Sequence, residues 1–190
     1  MLVQLLDDVF LNIYRLLGEH RALRDAVIRA ALGAVVFAVE RVLLDGGACA
    51  PDAAPRRYRP ADVPRLKEDV KIVTRFFGGP GRLPKEEAAA CCQRLHGVLA
   101  LMGRPSADLI AEFDGAPEWD ADELPTQHNL GRILLLRDDD TARRFVEQRR
   151  SALKELLRAR PRDSDGLNLR SAPPPPEVAA PAAGEEAAAE

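Results

Sequence analysis

Cys91, Cys92 and His96 are the residues of this chain whose types come nearest to holding a metal. Cys92 and His96 stand four apart, so on a helix they would share one side and offer zinc a thiolate and an imidazole. Zinc takes about four ligands. No CxxC or HxxxH pair supplies the others, and His20 and His128 lie far away in sequence. The segment reads as an apolar helical stripe with a flanking histidine, so no metal is expected.

The other chemical candidates are weaker. Asp138, Asp139 and Asp140 are consecutive acids, whereas a calcium loop alternates its oxygen ligands, turns on a central glycine and closes on a glutamate. They suit an N-cap with anionic neighbours in the first turn of a helix. Gly78-Gly79-Pro80-Gly81 has the glycines of a phosphate loop but not the Lys-Ser/Thr that would face phosphate and magnesium. No nucleophile elbow or dinucleotide fingerprint occurs, and Glu68-Asp69 and Glu86-Glu87 are adjacent residues that diverge on a helix. A non-enzyme without a cofactor is expected.

One chemistry remains, that of cations on an amphipathic helix. From Arg143 to Arg162 eight Lys or Arg stand against Glu147 and Glu155, a local charge of +6. Phe145, Val146, Ala152, Leu153, Leu156 and Leu157 fall largely on one side of that helix. Arg143, Arg144, Arg150, Lys154 and Arg158 fall elsewhere on it. Such a helix can dock on an anionic membrane or an acidic partner helix. It can equally be a bundle helix with a solvated arginine face and cations near its C-terminus. Nucleic acid is not expected, because aromatics are not interleaved with the arginines and the rest of the chain is nearly neutral. The full charge is −3, and four glutamates without any Lys or Arg between Ser171 and Glu190 leave +1 for the remainder.

The elements that must carry these residues are helices. No alternating run of β-branched and aromatic residues signals a strand. With aromatics at 5%, the core must be built from Leu, Val, Ile and Ala. A first helix is predicted over 2–17 with Leu2, Leu5, Leu6, Val9, Ile13, Leu16 and Leu17 as its stripe. A second, over 22–44, is apolar on most sides from Ala30 to Val39 and belongs near the middle of a bundle; Gly46 and Gly47 end it. Val63, Leu66, Val70, Val73 and Phe77 form the face of a third, stopped by the glycine-rich break. The next, over 85–102, buries Ala88, Cys91, Cys92, Leu95, Leu99 and Met102. Ser106 is the predicted N-cap of a helix burying Leu109, Ile110 and Phe113. A connection containing Trp119 leads to helices over 126–136 and 140–159. After Pro161 four consecutive prolines and an Ala/Glu-rich end predict a disordered tail.

Several of these segments carry a resemblance. RVLLDGG at 41–47, a helix ending in Phe76-Phe77, a glycine-rich break, Leu83-Pro84 and DLIAEF at 108–113 occur in this order. Leu124-Pro125 and NLGRILLLRDDDTARRFVEQRR at 129–150 follow. The series resembles the plant relatives of the Munc-thirteen vesicle-priming proteins, in their second Munc-homology domain at the C-terminal end of a longer chain. It covers roughly 2–157; the family usually carries an acidic residue where this chain has Pro80.

The residues predict an all-α antiparallel bundle of about six or seven helices over 1–160, with a disordered tail over 161–190. The resemblance implies that the bundle is elongated and serves as a non-catalytic scaffold in vesicle tethering and exocytic traffic to the plasma membrane. One plant member is named for controlling translocation of the proton ATPase. Its implied partners are tether subunits or SNAREs. The alternatives are a generic helical interaction module, or a membrane-surface binder acting through Arg143, Arg144, Arg150, Lys154 and Arg158; a metal-binding protein ranks below both. Gln4, Asp7 and Asp8 interrupt the apolar start, so no signal peptide is read and a cytoplasmic protein is expected, peripheral at plasma membrane or endosomes.

Overall fold

A computed structural model describes residues 2–47, 55–118 and 124–158. Trp119 and the predicted tail over 161–190 lie outside the described residues. Within them the chain is all-α: α1 (Leu2–Leu17), α2 (Arg21–Asp45), a 3₁₀ turn (Pro60–Asp62), α3 (Val63–Phe77), α4 (Lys85–Cys91), α5 (Gln93–Met102), α6 (Ser106–Phe113), α7 (Gln127–Leu136), α8 (Asp140–Gln148) and α9 (Arg150–Arg158).

The seven predicted helical runs are all present, and two are each interrupted once. The run over 85–102 tightens at Cys92, whose amide is shared between the carbonyls of Ala88 and Ala89. The last run bends at Arg149, where the backbone leaves helical angles while Arg149 N still donates to Phe145 O at 3.0 Å. There the Arg149 guanidinium lies 5.4 Å from the centre of the Phe145 ring and pairs with Asp114 at 2.5 Å.

α2 is the element around which the rest assembles, packing against α1, α4, α5 and α7. Ile28 and Leu32 are fully buried, and Gly46, in the left-handed region at φ 71°, ends the helix as its sequence requires. A Cβ there would stand 2.8 Å from Pro55 and 2.9 Å from Leu136, so the turn needs glycine twice over. Arg29 pairs with Glu87 of α4, and Arg94 of α5 with Glu40 at 3.0 Å. The helix is central but not enclosed, because Leu23, Phe37 and Val42 remain about half exposed.

α3 matches its predicted face: Val63, Val70, Val73 and Phe77 are buried and Leu66 partly so. Burial of each such side chain contributes about 1.5–3 kcal/mol. Among the described side chains of α1 the predicted stripe holds in part: Ile13 and Leu17 are half-buried, while Val9 and Leu16 are 43% and 78% exposed. Phe10, which lies outside the stripe, is the buried one among them, at 2% exposure. Aromatic contact holds it there. Phe10 meets Phe76 and Phe77 edge-on at 5.3 and 5.5 Å, and Arg82 lies 3.7 Å from the centre of the Phe76 ring while pairing with Asp7 at 3.0 Å. The glycine-rich break thus docks α1: Tyr14 donates its hydroxyl to Gly81 O at 2.5 Å. No helix among the described residues is long and apolar enough to cross a membrane.

Candidate functional site

The acidic run 138–140 sits at a crossing of four segments. α7 ends at Leu136, and Arg137 continues extended beside Tyr58. Tyr58 N donates to Leu136 O at 2.8 Å and Asp138 N donates to Tyr58 O at 3.2 Å. This backbone exchange anchors 55–59 against the end of α7. The Arg137 side chain turns inward, is 3% exposed, and donates to the carbonyls of Met102 and Arg104, each at 2.6 Å. Those carbonyls lie at the end of α5, where a cation also meets the negative end of the helix dipole. Burial pushes the guanidinium below the usual arginine range and Asp139 pulls it back; it remains charged at any ordinary pH.

Each of the three aspartates is used by the fold. Asp138 pairs with Arg59 at 2.7 Å, and the hydrogen bond from Arg59 holds its carboxyl below the usual range. Asp139 caps α8 by accepting from Ala142 N at 2.9 Å, and it accepts the Ser106 hydroxyl at 2.6 Å. Asp140 lies in the first turn and pairs with Arg143 at 2.9 Å. The N-cap reading of this run holds. The N-cap reading of Ser106 does not: Pro105 occupies that position, and Ser106 is the first helical residue with its hydroxyl committed to Asp139. Proline before it provides the extended entry, and the tertiary bond outcompetes local capping.

The metal candidates are kept apart by the packing of the core. Cys92 is fully buried among core side chains and burial pushes its thiol up, with a hydrogen bond from Thr74 opposing. Cys91 is half-buried, and His96 is exposed on the outer side of α5. His20 is exposed, and His128 is buried on α7. Among the described residues, no group of three or more His, Cys, Asp or Glu is placed to hold a metal ion.

The basic helix yields a surface. Arg143, Val146, Glu147, Arg150, Leu153, Lys154 and Leu157 follow one another at helical spacing along α8 and α9 and line a groove with Leu135 of α7 and Arg57. Leu153 is buried, Val146 and Leu157 partly so, and Leu135 is 37% exposed. The floor is therefore apolar and the rim carries four cations against one carboxylate among the described residues. Arg143 spends part of its charge on Asp140. Arg150 and Lys154 make no ion pair among the described residues. Arg144 and Arg158 are exposed but do not line the groove, so three of the five predicted contact residues are brought together and two are not. Arg57 and Leu135 are the additions. The only trace of Arg57 in the sequence is an arginine-rich loop; the Tyr58 anchor is what carries it to Arg143, far along the chain.

Residues 1–151 match the family model described as PATROL1-like, TPR repeats. The chain belongs to this family. A PATROL1-like chain of this kind is also similar to an unc-13 homolog of Arabidopsis thaliana, 30% identical over 135 residues. That match takes in 66% of this chain and 12% of the relative, so the chain spans about an eighth of the relative's length. No solved structure matches it. The PATROL1-like match contains α1 to α8 and stops at the start of α9, so it includes Arg143 and Arg150 but not Lys154 or Leu157.

Proposed function

We propose that this chain is a non-catalytic holding element of a vesicle-tethering scaffold, acting in exocytic traffic of proteins to the plasma membrane. The observation that carries the reading is the PATROL1-like match over nearly the whole described chain. Two features support it. The acidic run 138–140 is spent on a helix cap and on ion pairs, Asp139 with the Ala142 amide, Asp138 with Arg59 and Asp140 with Arg143. The groove on α7 to α9 is open, apolar on its floor and cationic at its rim, which suits a surface that holds a macromolecule.

The partners this reading calls for are trafficking proteins, tether subunits or SNAREs, met at the cytoplasmic side of the plasma membrane or of endosomes. The test is capture from plant cell extract on the full chain, read by mass spectrometry. Enrichment of secretory tethers, SNAREs or plasma-membrane cargo is the expected result. An eluate holding only metabolic enzymes or nuclear proteins overturns the trafficking role.

A further inference from the structure

We infer that the groove between Leu135 of α7 and the α8–α9 face receives an acidic amphipathic helix of a partner protein. The inference rests on the scaffold reading and names the chemistry of what the scaffold holds.

Three features argue for that occupant. The first is charge. Arg57, Arg143, Arg150 and Lys154 surround the groove, with Glu147 as the lone carboxylate among the described residues that line it, so an anionic ligand is favoured and a cationic one repelled. The second is shape. The apolar residues lie at the bottom of the groove, with Leu153 2% exposed, and the cations stand at its edge. A flat bilayer meets such an edge first and leaves the floor uncovered, whereas a single helix can lay one apolar stripe along the floor and turn acids to both rims. The third is length. From Arg143 to Leu157 the lining runs along two consecutive helices that meet at the Arg149 bend, and at about 1.5 Å per residue it can follow a partner helix for up to about four turns. Arg57 approaches from a different element, held by Tyr58 against Arg137, so the rim closes from both sides.

The experiment uses the full chain and three labelled peptides of about four helical turns. One has leucines at i, i+4, i+7 and i+11 flanked by glutamates. One has the glutamates replaced by lysines. One is the acidic peptide with its leucines scrambled off the stripe. Binding is read by fluorescence anisotropy. The acidic amphipathic peptide should bind, and its lysine and scrambled counterparts should not. The R143Q/R150Q/K154Q chain should bind about tenfold more weakly, and so should Leu135→Glu, which puts a charge on the floor. Circular dichroism of each variant excludes loss of helix as the cause. Equal binding of all three peptides, or none by any, overturns the proposal. Co-sedimentation of the chain with phosphatidylserine vesicles in the absence of peptide binding also overturns it and makes the face a membrane contact. Peptide binding that appears only after deletion of 171–190 overturns it too, because the chain's own acidic end would then be the occupant. If the triple variant captures secretory proteins from extract as well as the parent, the groove assignment fails while the trafficking reading stands.

Discussion

Two groups of arginines lie within about a dozen residues of each other on this chain and do opposite things. Arg137 is buried and donates to two backbone carbonyls at the end of α5. Arg143 and Arg150 stand at the rim of an open groove, the first in a surface pair with Asp140 and the second without an ion pair among the described residues. Counting arginines cannot tell these roles apart. What separates them is whether the backbone delivers acceptors to the guanidinium. The extended residue after α7 aims Arg137 inward, while the helical spacing of α8 and α9 aims the others outward.

The strongest way to break this contrast is to remove Arg137. Arg137→Met fills similar space but leaves the carbonyls of Met102 and Arg104 without their donor. Hydrogen bonds to a charged group contribute about 1.5–3 kcal/mol each, so a loss of about 3–6 kcal/mol is expected in urea unfolding. A variant as stable as the parent would put Arg137 in the same class as the surface cations.

The same burial argument applies to His128 on α7. Desolvation, and then the Arg132 charge, hold it down at about 4, with Asn129 and Asp45 pulling weakly upward. The folded state thus keeps it neutral where the unfolded chain, near about 6.5, takes up a proton. Stability is full above that unfolded value and falls as pH drops from about 6.5 towards 4, by up to about 3 kcal/mol. His128→Gln should flatten this limb of a stability-versus-pH curve. An unchanged slope would show that His128 is not the group responsible.

Asp139 is the smaller counterpart on the acidic side. Burial raises its carboxyl, but the Ser106 hydroxyl, the Ala142 and Thr141 amides and the Arg137 charge together bring it below the usual range. Its contribution is therefore present above the ordinary aspartate value of about 3.9 and is lost as pH falls further. Asp139→Ala removes a helix cap and a tertiary hydrogen bond, with an expected loss of about 2 kcal/mol. Ser106→Ala should lose about half of that, since it leaves the cap in place. Equal losses from the two variants would mean that the Ser106 bond, and not the cap, carries the effect.

The sequence is most legible where one interaction type decides. The faces of α3 and of α4–α5 are apolar stripes at helical spacing, and every residue named for them is buried or partly buried. The stop at Gly46 follows from glycine chemistry, since its φ of 71° is left-handed, whereas Gly78 ends α3 at a φ of −89° and the left-handed glycine of that break is Gly81, at 74°. It is least legible where two distant elements compete for a side chain. On α1 the stripe residues Val9 and Leu16 are exposed while Phe10 is buried, because Phe76, Phe77 and Arg82 gather around the Phe10 ring. Ser106 looks like a cap until Asp139 arrives from 33 residues away. The candidate groove is intermediate. Arg143, Arg150 and Lys154 could be read from helical spacing, but Leu135 and Arg57 join them only through packing of α7 and the Tyr58 bridge.

The smallest effect on stability is expected from the groove itself, and this is where the contrast is sharpest. Arg143, Arg150 and Lys154 are exposed, and among the described residues only Arg143 of the three has an ion-pair partner, on its own helix at i−3. Exposed pairs of that kind contribute about 0.3–0.5 kcal/mol, and salt screens them further. Neutralising all three with glutamine should therefore shift the urea midpoint by the equivalent of about 0.5 kcal/mol or less. It also relieves repulsion among like charges, which works against even that small loss. Arg149 is the internal control on the same helix pair. It lies over Phe145 and pairs with Asp114 of the connection after α6, so it ties two elements together where its neighbours tie none. Arg149→Gln alone should cost about as much as the triple variant or more, near 1 kcal/mol. A triple variant that lost several kcal/mol would mean these cations are fold-bearing like Arg137. A triple variant of unchanged stability with weakened capture of an acidic helix would put their charge outside the fold's needs and in the service of a partner.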